Sequence, residues 1–278
     1  MMLRLRASYN YQHCKSAMQI DRSLPPVVIT RPAAQAVALA SQITARGRQA
    51  IIFPLLEILP LADSTGLQAA LARLDDYALV LFVSPNAIDA AFRYIAQWPS
   101  QLPIGIVGEG SRAALARHGL TAANAAIFSP PDPARSDSEG LLQALDLSAL
   151  RGRRVLLVRG ESGRELLADV LRAAGIDVEP IAAYRRQAPR LDMALKVQLQ
   201  QLIDSRHDWI VTSSEALGHL LELVRQAENG AGVAKIQQQK LVVPHARIAE
   251  TAYALGFVDV TLTGSGDERL LDALQFPV

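Results

Sequence analysis

Four strand-to-helix turns concentrate the side chains that could do chemistry. "SPN" sets Ser84 and Asn86 at a helix start, "TSSE" sets Thr212, Ser213 and Ser214 at another, and "GEGSRAAL" follows a strand as a third. A hydroxyl or amide in such a place can cap the helix by accepting from a free first-turn N–H. With the remaining free amides it can also seat a carboxylate or phosphate. The fourth turn, "RGESGRELL", crowds Arg159, Ser162, Gly163 and Arg164 together. A guanidinium beside free amides suits an anion, and solvated surface arginines are the plain alternative.

The same turns exclude other chemistry. "GEGSRAAL" lacks the third glycine of a dinucleotide fingerprint, and "RGESGRELL" lacks the Gly-Lys-Ser/Thr ending of a phosphate-binding loop. No nucleophile stands with a base and an orienting acid, and no close pair of carboxylates occupies a glycine-rich motif. His13, His118, His207, His219 and His245 show no metal-ligand spacing, and Cys14 is the single cysteine, so neither a metal site nor a disulfide framework is expected. The absence of a catalytic engine favours a binding protein, or an enzyme whose substrate carries its own reactivity.

Composition narrows the class. Half of the 278 residues are hydrophobic, 20% are charged and the net charge is +1, which argues against a nucleic-acid binder relying on a global basic field. An anionic partner must be met by local arginines. No apolar run has the length of a membrane-spanning helix. The opening 25 residues lack the apolar core of a secretory signal; an extension without fixed structure or a start codon placed too early is expected, with a transit peptide as the alternative.

The elements that must position these turns alternate regularly. Short β-branched runs at 27–30, 50–53, 78–83, 104–107, 125–128, 154–159, 177–184, 209–212, 240–243 and 258–263 are separated by helical patterns, the signature of parallel sheets covered by helices. Ten strands favour two sheets over one. The two halves also repeat: "VVITRPAAQAVALASQITARGRQAIIF" aligns without a gap on "VLLVRGESGRELLADVLRAAGIDVEPI", pairing Arg31 with Arg159 and Gly47 with Gly175. Ala36, Leu39, Ala40 and Ile43 form an apolar stripe in the first helix, answered by Leu167, Ala168 and Leu171 in the second. "VLFVSPNAIDAA" matches "WIVTSSEALGHL", and "VGEGSRAALARHG" matches "VPHARIAETAYALG". Two similar α/β units are therefore expected, with their strand-to-helix turns as the places for a site.

Taken in order, "VVITRPAAQAVALASQI", "LFVSPNAIDAA", "IGIVGEGSRAALARHG", "SEGLLQAL", "RVLLVRGESGRELLADVLRAAG", "IAAYRRQAP", "WIVTSSEAL" and "RIAETAYALGF" resemble the uroporphyrinogen-III synthase family over residues 26 to 276. The resemblance implies two flavodoxin-like α/β domains with parallel sheets, joined by a two-stranded connection because the chain crosses between them twice. On this sequence the first domain would take 26–53 and 189–278, the second 60–181, and the linkers 54–59 and 182–188, after an N-terminal extension 1–25. The family closes hydroxymethylbilane, a linear tetrapyrrole with eight carboxylates, to uroporphyrinogen III with loss of water and inversion of the last ring through a spiro intermediate. It uses no cofactor or metal. A cytoplasmic monomer of heme biosynthesis is implied, supplied with substrate by hydroxymethylbilane synthase and without nucleic-acid or membrane partners.

Residue by residue, the resemblance gives Tyr184 as the phenol that donates to the leaving hydroxyl. Ser84, Ser111, Ser213 and Ser214 fall on polar positions of the cleft turns, and Arg247 falls where some relatives carry threonine. Asn86 and Thr212 join them from their turns, and Arg31 and Arg159 serve either substrate carboxylates or strand-end packing. A two-lobed small-anion or sugar receptor without catalysis is the alternative, and a nucleotide-dependent oxidoreductase is disfavoured by the incomplete glycine motif.

Overall fold

The computed structural model describes residues 20–132, 137–228 and 231–277; of the expected N-terminal extension, 1–19 lie outside the described residues. The strands are β1 (Val27–Ile29), β2 (Ala50–Ile52), β3 (Glu57–Leu59), β4 (Leu79–Phe82), β5 (Ile104–Ile106), β6 (Ile127–Phe128), β7 (Arg154–Gly160), β8 (Asp177–Gln187), β9 (Asp208–Ile210), β10 (Lys240–Val243) and β11 (Asp259–Leu262). They form two sheets, β11-β10-β9-β1-β2 and β3-β8-β7-β4-β5-β6. Every pairing is parallel except that of β3 with β8. The central strands are apolar along their whole length, since helices cover both faces of a parallel sheet. Val27 to Ile29 and Val80 to Phe82 are fully buried.

Each expected run contains a strand, and β3 is the addition. Its three residues are half-buried on both sides, so neither length nor alternation marks it. It exists because β8 runs past the end of its own sheet and offers an unpaired edge. There Glu57, Ile58 and Leu59 pair antiparallel with Gln187, Arg186 and Arg185. The chain thus passes between the sheets as a two-stranded ladder.

The repeat is present in space. Val28 of β1 pairs with Ile51 and Trp209, and Leu156 of β7 pairs with Glu179 and Val80. The order β2-β1-β9-β10-β11 therefore recurs as β8-β7-β4-β5-β6, with the chain entering the second sheet at the counterpart of β9. In the first sheet this is the flavodoxin strand order. The same register makes Ser84, after β4, the counterpart of Ser213, after β9.

Both repeats stop their first helix in one way. Gly47 and Gly175 hold φ of 85° and 80°, in the left-handed region that glycine enters without steric cost. Arg48 N–H then reaches back to Ile43 O at 3.2 Å, and Ile176 N–H to Leu171 O at 3.2 Å, closing the turn that sends the chain into β2 and β8.

The first sheet joins parts of the chain distant in sequence, and a buried ion pair seals the seam. Arg48 is 1% exposed and donates to Asp208 Oδ2 at 2.9 Å, to Gln275 O at 3.0 Å and to Pro25 O. Beside it Trp209 meets Phe53 edge-on, with ring centroids 6.2 Å apart. Removing one partner of such a pair strands the other charge without water. Arg48→Met is expected to destabilise the protein by about 3–5 kcal/mol in urea unfolding; a loss below about 1 kcal/mol, the scale of a surface pair, would contradict this reading of the seam.

Candidate functional site

The carboxyl ends of the strands in both sheets face one another across a cleft of about 1420 Å³. From the first sheet come Arg31 after β1, Gln35 one helical turn on, and Asp267 after β11. From the second come Asn86, Asp89 and Arg93 after β4, and Glu109 and Arg117 after β5. The crossing strands supply an apolar wall that includes Leu56, Ile58, Ala183 and Tyr184.

Tyr184 is placed by an irregularity of β8. The ladder with β7 runs one-to-one from Arg154–Asp177 to Arg159–Ala182, and then Gly160 pairs with Tyr184, leaving Ala183 as an extra residue. Such a bulge breaks the alternation of faces. Ala183 and Tyr184 are accordingly both buried, at 4% and 5% exposure. The tyrosine ring lies against Gly160: a Cβ there would stand 3.1 Å from Cζ and 3.3 Å from Cε2. At the far end of the ring the phenol oxygen is 3.1 Å from Ser84 Oγ. Ser84 itself caps the helix Pro85–Ala91, its Oγ accepting from Ala87 N–H at 3.1 Å. Ser84 is thus the helix cap and the neighbour of the phenol, while Pro85 and Asn86 after it line the cleft.

The counterpart in the first repeat lacks this pair. Leu56 stands where Tyr184 does, 6% exposed and also on the cleft wall, and Ser213 stands where Ser84 does. Among the described residues neither Thr212 nor Ser213 makes a side-chain hydrogen bond, while Ser214 Oγ accepts from Thr251 Oγ1 at 3.1 Å. The three residues lie at the carboxyl end of β9 but do not line the cleft proper.

The other expected residues divide. Arg31 faces the cleft and is held by Asp267 Oδ1 at 2.6 Å. Asn86 Oδ1 accepts from Gln35 Nε2 at 2.8 Å, a hydrogen bond from one sheet's helices to the other's. Ser111 is 2% exposed and its Oγ has no partner; it lies inside the helix Glu109–Arg117, off the cleft lining. Arg159 departs from the expectation of a carboxylate binder. Its guanidinium is buried and spent on Gly160 O at 3.3 Å, Gly163 O at 2.9 Å and Glu165 Oε1 at 2.6 Å, so it fastens the strand-end loop. The packing alternative fits this arginine, because its own loop curls over it and leaves it no side facing the cleft.

Arg247 is exposed on the helix Ala246–Ala254, at another edge between the two sheets. Facing it, Glu139 is held below the ordinary carboxylate range, first by its hydrogen bond from Arg164 at 2.6 Å and further by the charges of Arg164 and Arg247. On the same edge burial pushes the His245 imidazole down, Arg247 adds to this, and Asp137 opposes it.

Two cleft residues, Arg93 and Arg117, carried no sequence signal. Arg93 is exposed on the wall and makes no ion pair among the described residues; Arg117 pairs with Asp89 at 2.9 Å. Arg186 donates to Ser162 O at 2.9 Å and pairs with Glu215 at 3.3 Å, tying the crossing to the helix Ser214–Glu228 of the first sheet. Arg185 donates to Pro60 O at 3.3 Å within the crossing. Arg117, Arg185 and Arg186 are held by contacts between segments apart in sequence.

Comparison with known proteins fits this arrangement. The family model of uroporphyrinogen-III synthase HemD matches residues 37–263. The uroporphyrinogen-III synthase of Escherichia coli K12 is 33% identical over 90% of this chain and 99% of its own, and that of Salmonella typhimurium LT2 is 32% identical over 90% and 99%. The chain belongs to the uroporphyrinogen-III synthase family. Two solved structures of uroporphyrinogen-III synthases share its fold: that from Helicobacter pylori 26695, at a TM-score of 0.59, 14% identity and coverage of 90% of this chain and 97% of that one, and a mutant from the extremely thermophilic bacterium Thermus thermophilus, at 0.54, 15%, 89% and 96%. Both relatives and both structures are synthases, and none is a two-lobed receptor. Among the described residues no helix is long and apolar enough to cross a membrane.

The cleft of this uroporphyrinogen-III synthase family member depends on a bare Gly160. Its backbone lies outside the left-handed region, so alanine would meet the tyrosine ring, nearest at 3.1 Å, and Ser162 O at 3.3 Å without backbone strain of its own. Gly160→Ala is expected to cost about 1–3 kcal/mol of stability and to carry the phenol away from Ser84, seen in a crystal structure as an O–O separation beyond about 3.5 Å. An unmoved ring would show that the glycine does not position it.

Proposed function

We propose that this chain closes hydroxymethylbilane to uroporphyrinogen III, acting as a hydro-lyase of tetrapyrrole and heme biosynthesis. The observation that carries the chemistry is the Tyr184 phenol, set on the cleft wall between Gly160 and Ser84. A phenol O–H can donate its proton to a departing hydroxyl. Pyrrole nitrogen lone pairs expel that hydroxyl as water and leave an electrophilic methylene. The fourth ring attacks it through its substituted carbon, giving the spiro intermediate whose cleavage and reclosure invert the ring. The last step restores aromaticity by releasing one proton, which returns to the phenolate, so the balance is loss of one water.

The protein's remaining work is positional. In water the chain closes at the unsubstituted carbon, so the cleft must favour the spiro route, each tenfold preference requiring about 1.4 kcal/mol. Arg31, Arg93 and Arg117 line the cleft and suit substrate carboxylates, with Asn86 and the strand-end turns beside them. Arg31 and Arg117 reach a substrate only by exchanging Asp267 and Asp89 for its carboxylates. Ser213, Ser214, Thr212 and Arg247 would serve parts of the chain that extend beyond the cleft proper. All of these groups come from one chain, which supports action as a monomer, with hydroxymethylbilane synthase as the supplier of a substrate that closes spontaneously if left in water.

Tyr184→Phe removes one hydroxyl and no packing volume. It is expected to lower kcat by roughly 10²-fold, the lower range for a general acid, with an unchanged unfolding midpoint. Activity near the parent's would exclude the phenol as proton donor. Freshly prepared hydroxymethylbilane should yield the type III isomer with the parent protein, and type I alone would overturn the synthase reading.

A further inference from the structure

We infer that Ser84 is a positioning residue: its hydroxyl donates to the Tyr184 phenol oxygen and so leaves the phenol's own proton directed into the cleft. The inference rests on Tyr184 as the proton donor and adds what aims that proton. A serine hydroxyl has one proton and two lone pairs. One lone pair is taken by Ala87 N–H at 3.1 Å, in the helix cap. Among the described residues the only other side-chain group within hydrogen-bonding distance of Ser84 Oγ is the phenol oxygen, at 3.1 Å.

The two possible directions of that bond are not equivalent. If tyrosine donated, Ser84 would accept twice and its proton would have no acceptor among the described residues. With serine donating, its proton and one lone pair are both used, and the phenol becomes an acceptor whose own O–H is unspent. Accepting a hydrogen bond also polarises the phenol, which strengthens it as a donor. The ring cannot swing to seek another partner, because it is packed on Gly160 and its backbone carbonyl accepts from Glu161 N–H at 2.8 Å. A donor at one end and a glycine beneath the ring thus aim one proton at the cleft.

The test is steady-state kinetics and isomer analysis with freshly prepared hydroxymethylbilane on Ser84→Ala, Ser84→Thr and Ser84→Asp, each also built on Tyr184→Phe. Ser84→Ala should lower kcat roughly tenfold, the scale of one lost hydrogen bond to the reacting group, with KM within about twofold. Ser84→Thr keeps both cap and donor and should restore kcat to within about threefold of the parent. Ser84→Asp separates the two roles, since a carboxylate caps the helix but only accepts, and would draw the phenol proton away from the cleft. Its melting temperature should match the parent's while its kcat falls at least as far as that of Ser84→Ala. On Tyr184→Phe, Ser84→Ala should change kcat by less than about twofold, because the group it acts through is gone.

Equal losses from Ser84→Ala in both backgrounds, or a rise in KM at unchanged kcat, would overturn the inference and make Ser84 a direct contact of substrate. A fully active Ser84→Asp would overturn it as well. Near-normal activity of Tyr184→Phe alone would instead remove the reading of Tyr184 on which it rests.

Discussion

The antiparallel ladder of Glu57–Leu59 with Arg185–Gln187 is the constraint on which the site depends. A parallel sheet gathers the ends of its loops at one edge, and ligands of open α/β sheets bind outside those carboxyl ends. One such edge is a surface. Two become a cleft only when something holds them face to face, and here a continuous strand, β8, leaves one sheet and carries the chain toward the other. Because β8 is shared, the same bulge that ends its pairing with β7 turns Tyr184 toward the gap between the sheets. Among the described residues, side-chain bonds of Gln35 with Asn86 and of Arg186 with Glu215 also join the sides. A three-residue ladder with such flanking bonds suits a hinge that opens for a bulky substrate and closes over it.

The electrostatics of the cleft agree with a positional task. Arg31, Arg93 and Arg117 share the lining with Glu57, Asp89, Glu109 and Asp267, so the wall is mixed in sign rather than a basic trough. On the proposed function a polyanion would gain there by replacing internal carboxylates as partners of Arg31 and Arg117, and by meeting Arg93, which has no ion pair among the described residues. Exchange of this kind favours a substrate whose carboxylates fall at the right spacing over any anion of equal charge, consistent with a chain whose net charge is only +1. On the proposed function the reactivity lies in the substrate, and the protein supplies one proton and a shape.

Much of the scaffold was legible in the sequence. Buried parallel strands announce themselves as β-branched runs, and the glycines at 47 and 175 close identical helix ends, so the repeat could be read before its spatial order was known. What was illegible depends on pairing between distant segments. β3 is a strand only because β8 offers an edge. The bulge that places Tyr184 is a shift between two strands, invisible in either. Arg159 and Arg31 occupy equivalent positions in the repeat, yet the loop after β7 curls back over Arg159 while Arg31 reaches Asp267 on the cleft wall. Sequence equivalence set both at strand ends, and the local course of the next loop decided which one faces the cleft.

The most direct test of the account is a crystal structure with a stable analogue of hydroxymethylbilane that lacks the departing hydroxyl. The account places the analogue in the cleft between the two sheets, with its terminal methylene within about 3.5 Å of the Tyr184 phenol oxygen or of one water held by it, and with carboxylates on Arg31, Arg93 or Arg117. An analogue bound along the Arg164–Arg247 edge, with Tyr184 still packed away from it, would contradict the account.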